Sequence, residues 1–188
     1  MVRRDLWVVL VVVLALALIT TLRSSAPLPA PALPELATAG PAIDRPAVAG
    51  FDLPRLGGGR RSLADFEGRV VVLNFWATWC GPCREELPAL EALHRELSAE
   101  GVAVVAVSLD KGSEDAVARF VAERELSFDV LHDSTGETEE RYGVRFYPTT
   151  VVIDGRGRSV ARVHSAWNWA APSVIGWLRQ LLAEAQHP

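Results

Sequence analysis

With 188 residues, 49% of them hydrophobic and 22% charged, the chain has a globular composition with room for one core and an appendage, not for two independent cores. A formal net charge of -4 supplies no basic field for nucleic acid, which excludes that class of partner. The only two cysteines, Cys80 and Cys83, stand too close together to staple distant elements, so a disulfide-scaffold protein is excluded and reactive chemistry or part of a metal site is left.

Taken in chain order, the first signal is the uncharged run LWVVLVVVLALALITTL at 6–22. At about 1.5 Å per residue it reaches roughly 26 Å, the short end of what spans a bilayer core. Arg3 and Arg4 precede it and Arg23 alone follows at once, which predicts a transmembrane anchor over 1–23 with a cytoplasmic N-terminus and the rest of the chain outside. The competing reading is a cleaved signal peptide, whose apolar region is shorter, about 7–15 residues, and ends in a small-x-small site. Both readings export the globular part of the chain. Residues 24–44 are rich in Ala and Pro, lack hydrophobic periodicity and read as a tether.

The globular part occupies 45–188. Phe51-Asp52-Leu53 and Arg60-Arg61-Ser62 flank Gly57-Gly58-Gly59, which predicts a small hairpin; the glycines lead into no helix and lack a Lys-Ser/Thr ending, so they are a turn and not a phosphate loop. The apolar runs 70–75 and 102–108 read as strands covered on both faces. Between them Leu87, Leu90, Leu93 and Leu97 recur at helical spacing, with a kink expected at Pro88. A second helix is predicted over 116–126 and a short strand over 128–131. Ser134 and Glu137 have capping-box spacing for a brief helix ending near Tyr142. Residues 149–153 and 159–163 surround Asp154-Gly155-Arg156-Gly157 as a hairpin, and Pro172 opens a final helix. Strand, helix and strand in parallel define an α/β domain.

Cys80 and Cys83 fall where the first long strand gives way to its helix. At a helix N-terminus the unpaired N–H groups and the dipole favour the thiolate, so the Cys80 thiol is expected below the free value of about 8.5 and is the candidate nucleophile. Cys83, a turn further on and on the same face, is the candidate resolving thiol. A static disulfide would restrict the unfolded chain little over so short a loop. His94, His132, His164 and His187 show no paired spacing with the cysteines, so no metal site is expected.

The stretch Phe75-Trp76-Ala77-Thr78-Trp79-Cys80-Gly81-Pro82-Cys83-Arg84-Glu85-Glu86-Leu87-Pro88 resembles the active site of thioredoxin-like proteins, and within them the membrane-anchored TlpA/ResA/CcmG-type thiol-disulfide oxidoreductases. The resemblance runs from about Ala49 to the C-terminus. It implies an α/β thioredoxin fold with an N-terminal hairpin extension, preceded by a single transmembrane helix, with catalysis on the periplasmic or outer face. Tyr147-Pro148-Thr149 stands where the family has a cis-proline facing the cysteines, exposing backbone for an extended client chain. Asn74 occupies the position of the buried Asp of cytoplasmic thioredoxin and cannot titrate, while Glu86 matches the acidic residue of the anchored group and is implied to move the proton of Cys83. The implied docking surface is Trp79, Gly81, Pro82, Tyr147, Pro148 and Thr149, with Trp167 and Trp169 packing under the last helix. No cofactor is implied.

The implied partners are client protein thiols and disulfides, among them apocytochrome c or copper-site assembly proteins, and a membrane electron donor. The Gly-Pro pair between the cysteines is the arrangement of thioredoxin, whose potential of about -270 mV favours reduction. Two alternatives keep the same domain: a copper(I)-binding or transfer module, since thiolates suit that ion, and a thioredoxin-fold peroxidase. The peroxidase setting Pro-x-x-x-Thr-x-x-Cys is unmatched here, because Asn74 heads the segment and Thr78 falls one position too near Cys80.

Overall fold

The structure, a computed structural model, describes residues 45–186; the expected anchor (1–23) and tether (24–44) lie outside the described residues. Among the described residues no helix is long and apolar enough to cross a membrane. Strands β1 (Asp52–Pro54) and β2 (Arg60–Ser62) form the expected antiparallel hairpin. Gly57, Gly58 and Gly59 turn it with φ of 85, 109 and 80°, a run of left-handed conformations that only glycine adopts without steric cost.

The main sheet contains β3 (Val70–Trp76), β4 (Val102–Ser108), β5 (Asp129–His132), β6 (Thr149–Ile153) and β7 (Ser159–Val163) in the order β5-β4-β3-β6-β7. The first three are mutually parallel; β6 and β7 run antiparallel to their neighbours. Helices α1 (Gly81–Leu97), α2 (Glu114–Glu123), α3 (Glu137–Arg141) and α4 (Pro172–Gln186) complete the α/β order read from the sequence.

Strand β3 lies at the centre and every one of its residues is buried, because two cores sandwich it. Val70, Val72 and Trp76 join Leu87, Leu90, Leu93 and Leu97 of α1 and the apolar stripe of α4, while Val71, Leu73 and Phe75 meet Leu53, Phe66, Tyr142 and Val144 on the other face. Asn74 belongs to the α1 side by the same alternation and is fully buried, so a strongly polar side chain is held between the central strand and the helix that bears the cysteines.

Helix α1 includes Pro88, whose ring stands on an exposed position of the helix. Two local expectations change. Helix α2 begins two residues earlier than the periodicity suggests, because the Ser113 hydroxyl accepts from Asp115 N at 3.1 Å. Ser134 does not cap α3: the residue before that helix is Gly136, with φ 80°, and its first turn is held by Asp133. The capping oxygen comes from one residue earlier because the loop enters α3 through a left-handed glycine.

Candidate redox site

Pairing of Phe75 with Thr149 in the antiparallel β3–β6 ladder brings the 147–148 peptide to the end of β3 from which the chain runs on to Cys80. The Tyr147–Pro148 bond is cis. Cys80 occupies the N-cap of α1 in an extended conformation, Gly81 and Pro82 open the first turn, and the Cys80 Sγ accepts from Cys83 N at 3.2 Å. Proline at this point sacrifices only an N–H that has no partner within the helix. The two sulfurs are bonded, with Cα atoms 5.3 Å apart. Cys80 retains 5% exposure and Cys83 none, so Cys80 is the member of the pair nearer to solvent.

Behind the pair, Glu86 lies one turn beyond Cys83 on the buried face of α1 and is 2% exposed, far from a solvated helix glutamate. Asn74 Nδ2 donates to its Oε1 at 2.7 Å; Trp167 N and Trp169 Nε1 donate to its Oε2 at 3.1 and 3.2 Å. Burial raises its pKa from the usual 4.5 to about 7, against the opposing pull of these three donors. Asn74 Nδ2 also donates to Thr150 Oγ1 at 2.9 Å, and its Oδ1 is buried without a partner. An amide in that position can serve either protonation state of Glu86, as donor to the carboxylate or, rotated, as acceptor from the acid.

In front of the pair, Trp79 is 67% exposed and meets Tyr147 edge-on at 5.6 Å between ring centroids. Gly81 and Pro82 are exposed, Tyr147 is half-buried, and Pro148 and Thr149 are buried. The Tyr147 hydroxyl donates to Glu139 Oε1 at 2.5 Å, and burial together with that carboxylate raises its pKa. Thr149 Oγ1 donates to Phe146 O at 2.8 Å and lies 3.2 Å from His164 Nδ1. Phe146, 65% exposed and not singled out from the sequence, meets His164 edge-on at 6.4 Å between ring centroids.

Asp110 was not singled out from the sequence, yet it fixes the loop before Cys80. Its carboxylate accepts from Thr78 N at 2.9 Å, Thr78 Oγ1 at 2.6 Å and Ser108 Oγ at 2.8 Å, while its own carbonyl lies 2.9 Å from His132 Nε2. The signal was Ser108-x-Asp110 leaving β4 at the sheet edge where β3 delivers the cysteines, a juxtaposition that only strand pairing reveals. Among the described residues no group of three His, Cys, Asp or Glu side chains gathers as a metal site would require.

A cysteine pair closed across the first turn of a helix, at the end of a central parallel strand and beside a cis-proline loop, defines a thioredoxin-like redox domain. The sequence profile of the AhpC/TSA family matches residues 44–161, and the chain belongs to that family. It is 47% identical over 95 residues to the thiol-disulfide oxidoreductase ResA of Oceanobacillus iheyensis, covering 50% of this chain and 49% of that protein. It is 45% identical over 109 residues to the thioredoxin-like protein YneN of Bacillus subtilis, covering 57% and 63%. The match thus spans about half to under two thirds of these relatives. Among solved structures, a secreted thiol-disulfide isomerase from Corynebacterium glutamicum superposes with a TM-score of 0.70 at 29% identity, over 77% of this chain and 90% of that one.

Proposed function

We propose that the protein is an extracytoplasmic, membrane-anchored thiol-disulfide oxidoreductase that reduces disulfides in client proteins, in cytochrome c maturation or the assembly of metal sites. The observation that carries this reading is the Cys80–Cys83 bond itself, set in the first turn of α1 with Cys80 slightly exposed and Cys83 fully buried. The similarity to a thiol-disulfide oxidoreductase and to a secreted thiol-disulfide isomerase supports the same chemistry.

In the reduced protein, the Cys80 thiolate at the positive end of α1 attacks one sulfur of a client disulfide. A mixed disulfide forms and the other client sulfur leaves as a thiolate. Glu86, as carboxylate, then takes the proton of Cys83, whose sulfur attacks Cys80 Sγ. The Cys80–Cys83 bond closes and the second client thiolate departs. Two electrons have passed to the client, which takes up two protons, and an external dithiol donor at the membrane restores the pair. A carboxyl that titrates near 7 suits this task, since it alternates between acceptor and donor at working pH. Trp79, Gly81, Pro82 and Tyr147 of the cis-proline loop form the surface on which the client chain lies, while the buried Thr149 anchors that loop through Phe146 O.

A peroxidase on this fold finds little support, since the Thr78 hydroxyl is engaged by Asp110 and Cys83 stands ready beside Cys80. The decisive experiment replaces Cys83 by Ser in the full chain and isolates adducts from cells. Mixed disulfides through Cys80 are expected, absent when Cys80 is also replaced. An absence of adducts together with sustained consumption of hydrogen peroxide would reject dithiol exchange.

A further inference from the structure

Beside Trp79, between the start of α1 and α2, lies a groove of about 500 Å³ lined by Trp79, Arg84, Arg119, Phe120, Glu123 and Arg124. Three cations and one anion make it basic on a chain whose net charge is -4. None of Arg84, Arg119 and Arg124 forms a salt bridge among the described residues, a condition they share with Arg69, Arg145, Arg156 and Arg162, whereas Arg55, Arg60, Arg95, Arg141, Arg158 and Arg179 are paired. Arg84 stands in the first turn of α1, which holds no acidic residue, although a cation at that end opposes the helix dipole.

Part of the groove is preorganised. Phe120 packs against Trp76 at 5.2 Å, and the Arg124 guanidinium lies 3.7 Å over the Phe120 ring. A guanidinium stacked on a ring is oriented before any ligand arrives, which lowers the entropy cost of binding, and its N–H edge can pair with a carboxylate. On the Tyr147 side of Trp79 the carboxylates are partnered, Glu139 by the Tyr147 hydroxyl and by Lys111, and Glu137 by Arg141, so the groove is where cations stand without carboxylate partners.

We infer that this groove docks an acidic segment of the client polypeptide, so that a disulfide flanked on one side by Asp or Glu is presented to Cys80 with that side toward α2. The inference rests on the exchange chemistry proposed above and adds the charge and direction of the client. It is tested with the full chain in a neutral detergent, reduced beforehand, and three synthetic disulfide peptides that differ only in a flanking triplet of Asp, Ser or Lys. The second-order rate of reduction at low ionic strength is expected to be about 10-fold higher for the Asp peptide than for the Ser peptide, with the ratio falling toward one at high salt. The same ratio should fall to about one in Arg119→Gln/Arg124→Gln and survive in Arg119→Lys/Arg124→Lys, which keeps the charge. Equal rates for Asp and Ser peptides, faster reduction of the Lys peptide, or a preference that persists in the Gln variant would overturn the docking while leaving exchange intact. If no peptide is reduced, the exchange reading fails and the docking falls with it.

Discussion

Two buried carboxylates, Glu86 on α1 and Asp133 ahead of α3, are each 2% exposed and each surrounded by donors, yet they titrate in opposite directions. Burial raises both. At Asp133 it is overcome by Thr138 Oγ1 at 2.5 Å, Thr135 Oγ1 at 2.7 Å, and the Thr138 and Gly136 N–H groups at 2.8 Å, which hold the carboxyl at about 2. Glu86 has three donors, two of them beyond 3.0 Å, and burial prevails. A fourth donor, shorter bonds and a site less deep in the protein thus separate a permanently charged structural anchor from a group able to exchange protons near neutrality.

The largest effect should come from breaking the anchor. Asp133→Ala strands two buried backbone N–H groups and the Thr138 hydroxyl at the start of α3, at about 1 to 3 kcal/mol per unsatisfied donor. A loss of about 3 to 5 kcal/mol in denaturant unfolding at pH 7 is expected, and a loss under 1 kcal/mol would show that the loop re-forms its bonds elsewhere. Asp133 stabilises the fold fully above its unfolded value near 3.8, and that contribution disappears as pH falls through about 2.

Glu86 should show the opposite slope. Its folded value lies above the unfolded one, so its contribution is fully present below about 4.5 and is lost as pH rises through about 7, a change of about 3 kcal/mol. Unfolding of the oxidised protein between pH 4.5 and 8 should reveal this decline, and Glu86→Gln should flatten it. The variant is accommodated because the Asn74 amide, by rotating, can offer its unpartnered Oδ1 to the new amide. In exchange kinetics, resolution of the mixed disulfide should accelerate through pH 7 in the native protein and only nearer the thiol's own range, about 8.5, in Glu86→Gln. Identical pH profiles would remove Glu86 from the proton path.

The sequence disclosed what is local. Uniformly apolar runs announced β3 and β4, leucine spacing announced α1, and Asp154-Gly155-Arg156-Gly157 announced the last hairpin. Glu86 was visible through its spacing from Cys83 and through resemblance. The groups that set its proton affinity were not, since Trp167 and Trp169 lie 81 and 83 residues away and Asn74 sits on another element. Asn74 was noticed for what it lacks, a titratable proton, and its work as donor to Glu86 emerged only when β3 was laid against α1. Capping-box spacing pointed to Ser134 because such a pattern ignores the left-handed turn at Gly136, through which Asp133 reaches the first turn of α3.

The smallest expected effect is the sharpest test of how the two carboxylates differ. Trp169→Phe keeps the aromatic volume at a fully buried position and deletes only the Nε1–H that reaches Glu86 Oε2 at 3.2 Å. With one of three donors gone, the charged form loses support and the Glu86 pKa should rise further, by about 1 unit, since a hydrogen bond to a charged group is worth about 1.5 to 3 kcal/mol and a long one belongs at the lower end of that range. Carboxyl carbon shifts followed by NMR against pH would read that change directly, and the pH at which mixed disulfides resolve should move with it. Structural damage alone would lower stability without moving either titration. A Glu86 value that stays put would mean that Trp169 merely fills space, leaving Asn74 and the Trp167 backbone as the donors that oppose burial.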